Sequence, residues 1–194
     1  MYYTAEQLVT KAKEAKDYQG IPEGYWICCV RVNEADQKPN EFNDVLNLMM
    51  GESLVMMTTC TTTPGLPALR GGFKKYNKAG AAVVKAGVWM NNAFSPGLHN
   101  GRMKALRQVK DIFAHRDNDM DDIAEELGTA KKGMWHTNIH ASTYDFLSKI
   151  RRLFIKGWSY GCIVCNFMPK YKKMIELTKS QKYISAIVLK EFSI

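Results

Sequence analysis

No apolar run in this sequence approaches the roughly 20 residues that a membrane-spanning helix needs, and the opening Met1-Tyr-Tyr-Thr-Ala-Glu holds no hydrophobic signal core. The expectation is a chain made in the cytoplasm, with no membrane partner. Cysteine is scarce and odd in number, five in 194 residues, and two of the five are adjacent at Cys28 and Cys29. That excludes a disulfide framework as the organising principle and makes reduced thiols the default. Internal repeats, low-complexity tracts and linker-like stretches are lacking too. One domain over residues 1–194 follows, with residues 1–19 as a helical N-terminal extension. The regular βαβ alternation of a doubly wound parallel sheet is also missing.

Positive charge is what the chain has in excess. A formal net charge of +8 favours anionic partners. The basic residues are nevertheless spread out, in clusters no longer than Arg151-Arg152 and Lys170 to Lys173, and no nucleic-acid-binding signature accompanies them. A solvated basic surface is the expectation, without nucleic acid as partner; the oligomeric state is left open.

Thr4-Ala-Glu-Gln7 reads as a capping box ahead of Leu8, Val9, Ala12 and Ala15, and predicts a helix over residues 4–16. The run of β-formers over 25–32 predicts a buried strand. Phe42, Val45, Leu46 and Met49 have helical spacing ahead of Gly51 and predict a helix over 41–50. Further strands are predicted over 53–61, 81–90, 103–115, 135–140, 162–165 and 183–189, and helices over 143–154 and 168–179. A loop is expected around Pro96-Gly97. The balance predicts a β-rich α+β domain with a few peripheral helices.

The segment richest in chemistry is Gly157-Trp158-Ser159-Tyr160-Gly161-Cys162. A nucleophilic cysteine needs thiolate character, a nearby base and backbone N–H groups placed for the oxyanion of a tetrahedral intermediate. Gly161 lets the backbone turn sharply before the thiol and leaves room for a substrate carbonyl. Upstream, Asn138-Ile-His140 supplies an imidazole able to take the thiol proton near neutral pH. Each motif alone fits a blander role, a buried structural thiol beside a turn glycine or a hydrogen-bonded histidine.

Together, His140 followed by Ser159-x-Gly161-Cys162 resembles the catalytic domain of the L,D-transpeptidase family, and more narrowly its phage and prophage branch, in which Asn-Ile-His precedes Trp-Ser-x-Gly-Cys. Thr61-Thr-Thr-Pro-Gly65, Gly97-Leu-His99-Asn-Gly101, Ala105-Leu106-x-Gln108 and His115-Arg-Asp-Asn-Asp119 resemble further signatures of that branch in the same order, so the likeness spans roughly residues 20–190. Ala141 departs from it, since many relatives carry glycine after the histidine.

The resemblance implies a mostly β fold with Cys162 and His140 meeting at a groove, and cysteine-dependent acyl transfer on peptidoglycan stem peptides without cofactor or metal. Cys162 would be the nucleophile, His140 the base, and Ser159 and Gly161 the shapers of the nucleophile loop. His99, His136, Tyr160 and Trp158 would line the substrate groove. Water as acceptor makes such a protein a hydrolase, an amine makes it a transferase. A bacteriophage or prophage product of the endolysin kind, released or delivered with the virion to the cell wall, fits a chain without an export signal.

Other readings compete. Asp117-Asn-Asp-Met-Asp121-Asp122 has the alternating acids of a calcium loop, but Asp122 takes the sixth position, where glycine is expected, and Gly128 the twelfth, where glutamate is expected. Cys162-Ile-Val-Cys165 is formally a C-x-x-C, without a second pair for zinc and within a β-like run, so Cys165 reads as a core residue. Papain-like peptidases place the cysteine before the histidine, the reverse of the order here. A non-catalytic virion or wall-binding protein that keeps the fold is the remaining alternative.

Overall fold

A computed structural model describes residues 3–193. The strands are β1 (Tyr25–Arg31), β2 (Asp44–Met50), β3 (Ser53–Thr61), β4 (Ala81–Val84), β5 (Met90–His99), β6 (Met103–Gln108), β7 (Ile112–Asp117), β8 (Lys131–Gly133), β9 (Ile139–Ala141), β10 (Ile163–Cys165) and β11 (Ile184–Lys190); the helices are α1 (Ala5–Lys13), α2 (Leu66–Leu69) and α3 (Met168–Thr178). With 37% strand against 18% helix, the chain is a β-rich α+β protein.

Eight strands close a barrel in the order β1-β11-β5-β6-β9-β10-β3-β2, while β4, β7 and β8 form a separate antiparallel sheet. Strand β1 shows why its sequence is almost continuously apolar. Side chains alternate across a strand: Ile27 and Cys29 join the main core cluster with Leu46, Phe94 and Ile163, whereas Trp26, Cys28 and Val30 pack in a second cluster with Leu8, Val9 and Ala12 of α1. Strand β11 divides the same way, with Ala186 and Val188 in the first cluster and Ile187 and Leu189 in the second. The capping box at Thr4 forms as the sequence predicts, Thr4 Oγ1 accepting from the Gln7 N–H and Gln7 Oε1 from that of Thr4.

Six expectations need correction. Residues 44–50 are strand β2, not helix: Asp44, Leu46 and Leu48 alternate with Val45, Asn47 and Met49, and pairing with both β1 and β3 overrides the helical spacing. No helix forms over 143–154; the segment runs as turns and isolated bridges along the barrel. The expected Pro96-Gly97 loop is inside β5, which pairs with β6 through Pro96 and Gly97. The expected strand over 103–115 is two, β6 and β7. That over 81–90 stops at Val84 and gives way to a turn before β5, and that over 135–140 shrinks to Ile139–Ala141.

Two barrel pairs are parallel, β1 with β11 and β9 with β10. The second places the candidate site, because its register sets His140 opposite Val164, two residues after Cys162. The barrel is tied to the small sheet by a buried polar network. The Arg31 guanidinium donates to Glu126 Oε1 at 2.9 Å, to the Val84 carbonyl at 2.8 Å and to Thr62 Oγ1 at 2.8 Å. Asp44 accepts from the backbone N–H groups of Val32 and Thr62 and from the Thr62 hydroxyl. Burial raises the Asp44 carboxyl above its ordinary range, while Arg31 and these donors act in the opposite direction.

Candidate functional site

Cys162 lies just before β10 and His140 in the middle of β9, so neighbouring parallel strands deliver the two groups. Ring nitrogens of His99 and His140 and the sulfur of Cys162 all lie within 4.8 Å of one another. The sulfur is half-buried; it accepts the Asn138 N–H at 3.5 Å and its thiol is directed at the His136 carbonyl at 3.8 Å.

The imidazole of His140 is fully buried and its tautomer is fixed locally. Nδ1 stands 2.8 Å from the Ala141 carbonyl, which can only accept, so Nδ1 carries the hydrogen. Nε2 is therefore the basic nitrogen, and it has no hydrogen-bond partner among the described residues. The His99 ring stacks on that of His140, with centroids 3.9 Å apart and planes 16° from parallel. Burial is the main force that pushes His140 down to about 3, and the neighbouring His99 adds to it. Burial likewise lowers His99 and pushes the Cys162 thiol up to about 11, against a smaller opposite effect of the Asn138 N–H. At neutral pH the site thus rests as thiol and neutral imidazole.

The loop that leads into Cys162 is held from within. Ser159 Oγ donates to the Cys162 carbonyl at 2.8 Å and accepts the Gly161 N–H at 3.3 Å, while Thr137 Oγ1 donates to the Gly161 carbonyl at 3.2 Å. Gly161 sits at φ +128°, and a Cβ there would lie 2.7 Å from Ala82 Cβ and 2.8 Å from Ala82 O. The glycine is required by the close passage of β4. The Thr61–Gly65 segment also braces this loop, through the Gly65 N–H to the Ser159 carbonyl at 3.0 Å.

The structure brings Cys162, His140, His99, Ser159 and Gly161 together. His136 is placed otherwise than the sequence predicts: it is not on a strand but at φ 58°, with an exposed side chain, and its backbone carbonyl rather than its imidazole reaches the thiol. Tyr160 packs against the cluster of Ala68, Leu69 and Phe73 and edge-on to Tyr76, 4.9 Å between centroids. Trp158 is half-buried beside Tyr144, whose hydroxyl accepts from Asn100 at 3.4 Å.

Sequence reasoning missed Asn138, whose side chain meets His99 Nδ1 at 3.1 Å while its N–H meets the sulfur. It also missed the task of Gln108. Buried at the end of β6, Gln108 accepts the N–H groups of Trp135 and Thr137 and donates to the carbonyls of Lys110 and Gly133, so one side chain shapes the approach to His140. The signal was present in the Ala105-Leu106-x-Gln108 motif, without a means of reading it as a clamp.

A His₂Cys set has the donor chemistry of a zinc site. Elsewhere, Asp119, Asp121 and Glu125 bring carboxylate oxygens within 4.8 Å of one another, whereas Asp122 is committed to Arg70 at 2.6 Å. Cys165 belongs to the barrel interior, opposite Cys60, and its thiol is raised by burial. Compared with known proteins, the chain matches no family model, no curated protein and no solved structure.

Proposed function

We propose that this protein is a cysteine acyl transferase of the L,D-transpeptidase type, acting on peptidoglycan stem peptides through a Cys162 thioester. The observation that carries the reading is a half-buried thiol within 4.8 Å of a buried imidazole whose basic nitrogen has no hydrogen-bond partner among the described residues. The family resemblance supplies the substrate class and the L,D-transpeptidase-like form of the fold; the geometry supports the chemistry.

In this reading the Cys162 sulfur attacks the carbonyl carbon of an L-residue linked to a D-residue. Its proton passes to His140 Nε2 as the S–C bond forms, because neither group is charged at rest. The Gly161 N–H is occupied by Ser159 Oγ, which leaves those of Tyr160 and Cys162 as the loop's donors for the oxyanion. Collapse breaks the C–N bond, and the imidazolium returns the proton to the leaving amine. Water or an amine then attacks the thioester carbonyl, with His140 again taking the proton and the thiol leaving protonated. Stacked His99 restricts the ring of His140, and Asn138 positions both His99 and the sulfur.

The neutral resting pair also favours a second reading, a wall-binding or virion protein that keeps the site without turnover. Mass spectrometry of defined muropeptides incubated with the wild-type protein and with Cys162→Ala separates the two. Acyl transfer predicts new hydrolysed or cross-linked species with the wild type and none with the variant. Unchanged muropeptides under both, or equal turnover by both, would refute the enzyme reading. Delivery by a phage particle, the biological setting we favour, predicts the protein in purified virions.

A further inference from the structure

The stretch between the two site strands carries apolar side chains where a water-facing surface should not. Leu147, Ile150 and Leu153 are 83%, 72% and 67% exposed. Single exposed aliphatics are ordinary, but three within seven residues mark an interaction surface. The backbone ties the Leu153 end of the stretch to the barrel, while the N–H groups of Leu147 and Ile150 bond only within the stretch, to Asp145 Oδ1 and Ser148 Oγ. The Leu153 carbonyl accepts the Phe42 N–H at 3.2 Å, the Arg152 N–H donates to the Asn166 carbonyl at 3.0 Å, and Arg151 bridges to Phe167. The same stretch is basic: Lys149, Arg151 and Arg152 are interleaved with the aliphatics and exposed, the two arginines lying over the rings of Phe167 and Trp158, and Asp145 is the one acid over 144–156.

We propose that residues 144–154 form an interfacial anchor that seats this protein on an anionic lipid bilayer, with Leu147, Ile150 and Leu153 in the acyl boundary and the cations at the headgroups. Interleaved aliphatic and basic side chains fit a surface that is apolar below and negative above. A second copy of this chain fits poorly, because a symmetric contact would set the same cations against one another. The expectation of no membrane partner rested on the lack of a spanning run, which a surface-seated segment does not need. The anchor is independent of the acyl-transfer reading, although it flanks the site through Tyr144.

The test is co-sedimentation of the full chain with vesicles of phosphatidylcholine alone and with phosphatidylglycerol added. The protein is expected to partition onto the anionic vesicles, less so as salt is raised. Leu147→Glu and Ile150→Glu, made singly at exposed positions, should each reduce partitioning at least tenfold, and Lys149→Gln about fivefold. Circular dichroism melting should be unchanged in all three. No binding by the wild type to anionic vesicles overturns the proposal. Undiminished binding by both glutamate variants overturns it as well, because the general positive charge of the protein would then suffice. Muropeptide turnover by unbound protein bears only on the catalytic reading, so the two can fail separately.

Discussion

The two approaches to the candidate site are built on different principles. The approach to His140, residues 133–139, is shaped from outside: Gln108 on a neighbouring strand takes two of its N–H groups and bonds one of its carbonyls. The approach to Cys162, residues 157–161, is shaped largely from inside, by Ser159 bonding its own loop and by a glycine in a conformation that other residues avoid. An externally clamped segment fails when its clamp is removed, and an internally folded one fails when its backbone is disturbed. The imidazole, its tautomer fixed by the Ala141 carbonyl, sits in the core, while the sulfur sits half-buried at the end of a loop.

Breaking the inner device should have the largest effect. Gly161→Ala adds a Cβ at φ +128° against Ala82 Cβ and its carbonyl, both under 3 Å. The expected loss is about 3 kcal/mol or more in urea unfolding, with displacement of the thiol. A variant as stable as the wild type would show that β4 yields easily and that the close passage is incidental. Breaking the outer device comes second. Gln108→Leu leaves the N–H groups of Trp135 and Thr137 and the carbonyls of Lys110 and Gly133 without their partner, and should cost on the order of 2–3 kcal/mol. Gln108→Glu sharpens the comparison, since it keeps the acceptor and loses both donated bonds. It also sets a buried carboxylate oxygen against the carbonyls of Lys110 and Gly133, so it should cost at least as much as leucine.

How much of this was legible beforehand depends on whether local sequence or long-range pairing decides. The capping box at Thr4 and the both-faces-buried strand at 25–31 are local, and both form. Residues 41–50 failed because Leu46 and Met49, which share a face at helical spacing, point to opposite faces of a strand that is buried on both sides, and only the neighbours β1 and β3 decide for the strand. The helix expected over 143–154 failed because its apolar residues stay exposed, so no core packing supports a helix there. In the site, Cys162, His140 and His99 were named from motifs. The clamp role of Gln108 and the shift of His136 from imidazole to carbonyl were not legible, because all the partners involved except Lys110 are 25 or more positions away. Gly161 was named for the right freedom, but its crowding neighbour is Ala82.

Ser159→Ala should do less than either break. The hydroxyl links two backbone groups of the same short loop, so its loss is worth about 1 kcal/mol. On the acyl-transfer reading, the expected signature is a several-fold fall in kcat with an unchanged KM and a melting midpoint only about 2–4 °C lower. A fall confined to KM would mean that the loop contacts substrate rather than shaping the nucleophile.

The finest discrimination between the two approaches is a pH response that stays flat where histidine usually acts. His140 held down at about 3 is already neutral above that value, so Cys162 alkylation should show no step near pH 6.5. With the thiol up at about 11, the rate should instead climb steadily through pH 6–9 as the thiolate fraction grows. A preformed thiolate–imidazolium pair would give a plateau over that range, and observing one would mean that the imidazole approach is less dry than the fold implies. Stability carries the same information with the opposite reading. Unfolding returns His140 to its ordinary 6.5, so between about pH 3 and 6.5 the unfolded chain binds the extra proton. The contribution of this group to stability is therefore complete above that window and is lost as pH falls through it. Replacing His140 with glutamine should remove that part of the acid sensitivity while leaving the thiol's alkaline climb in place.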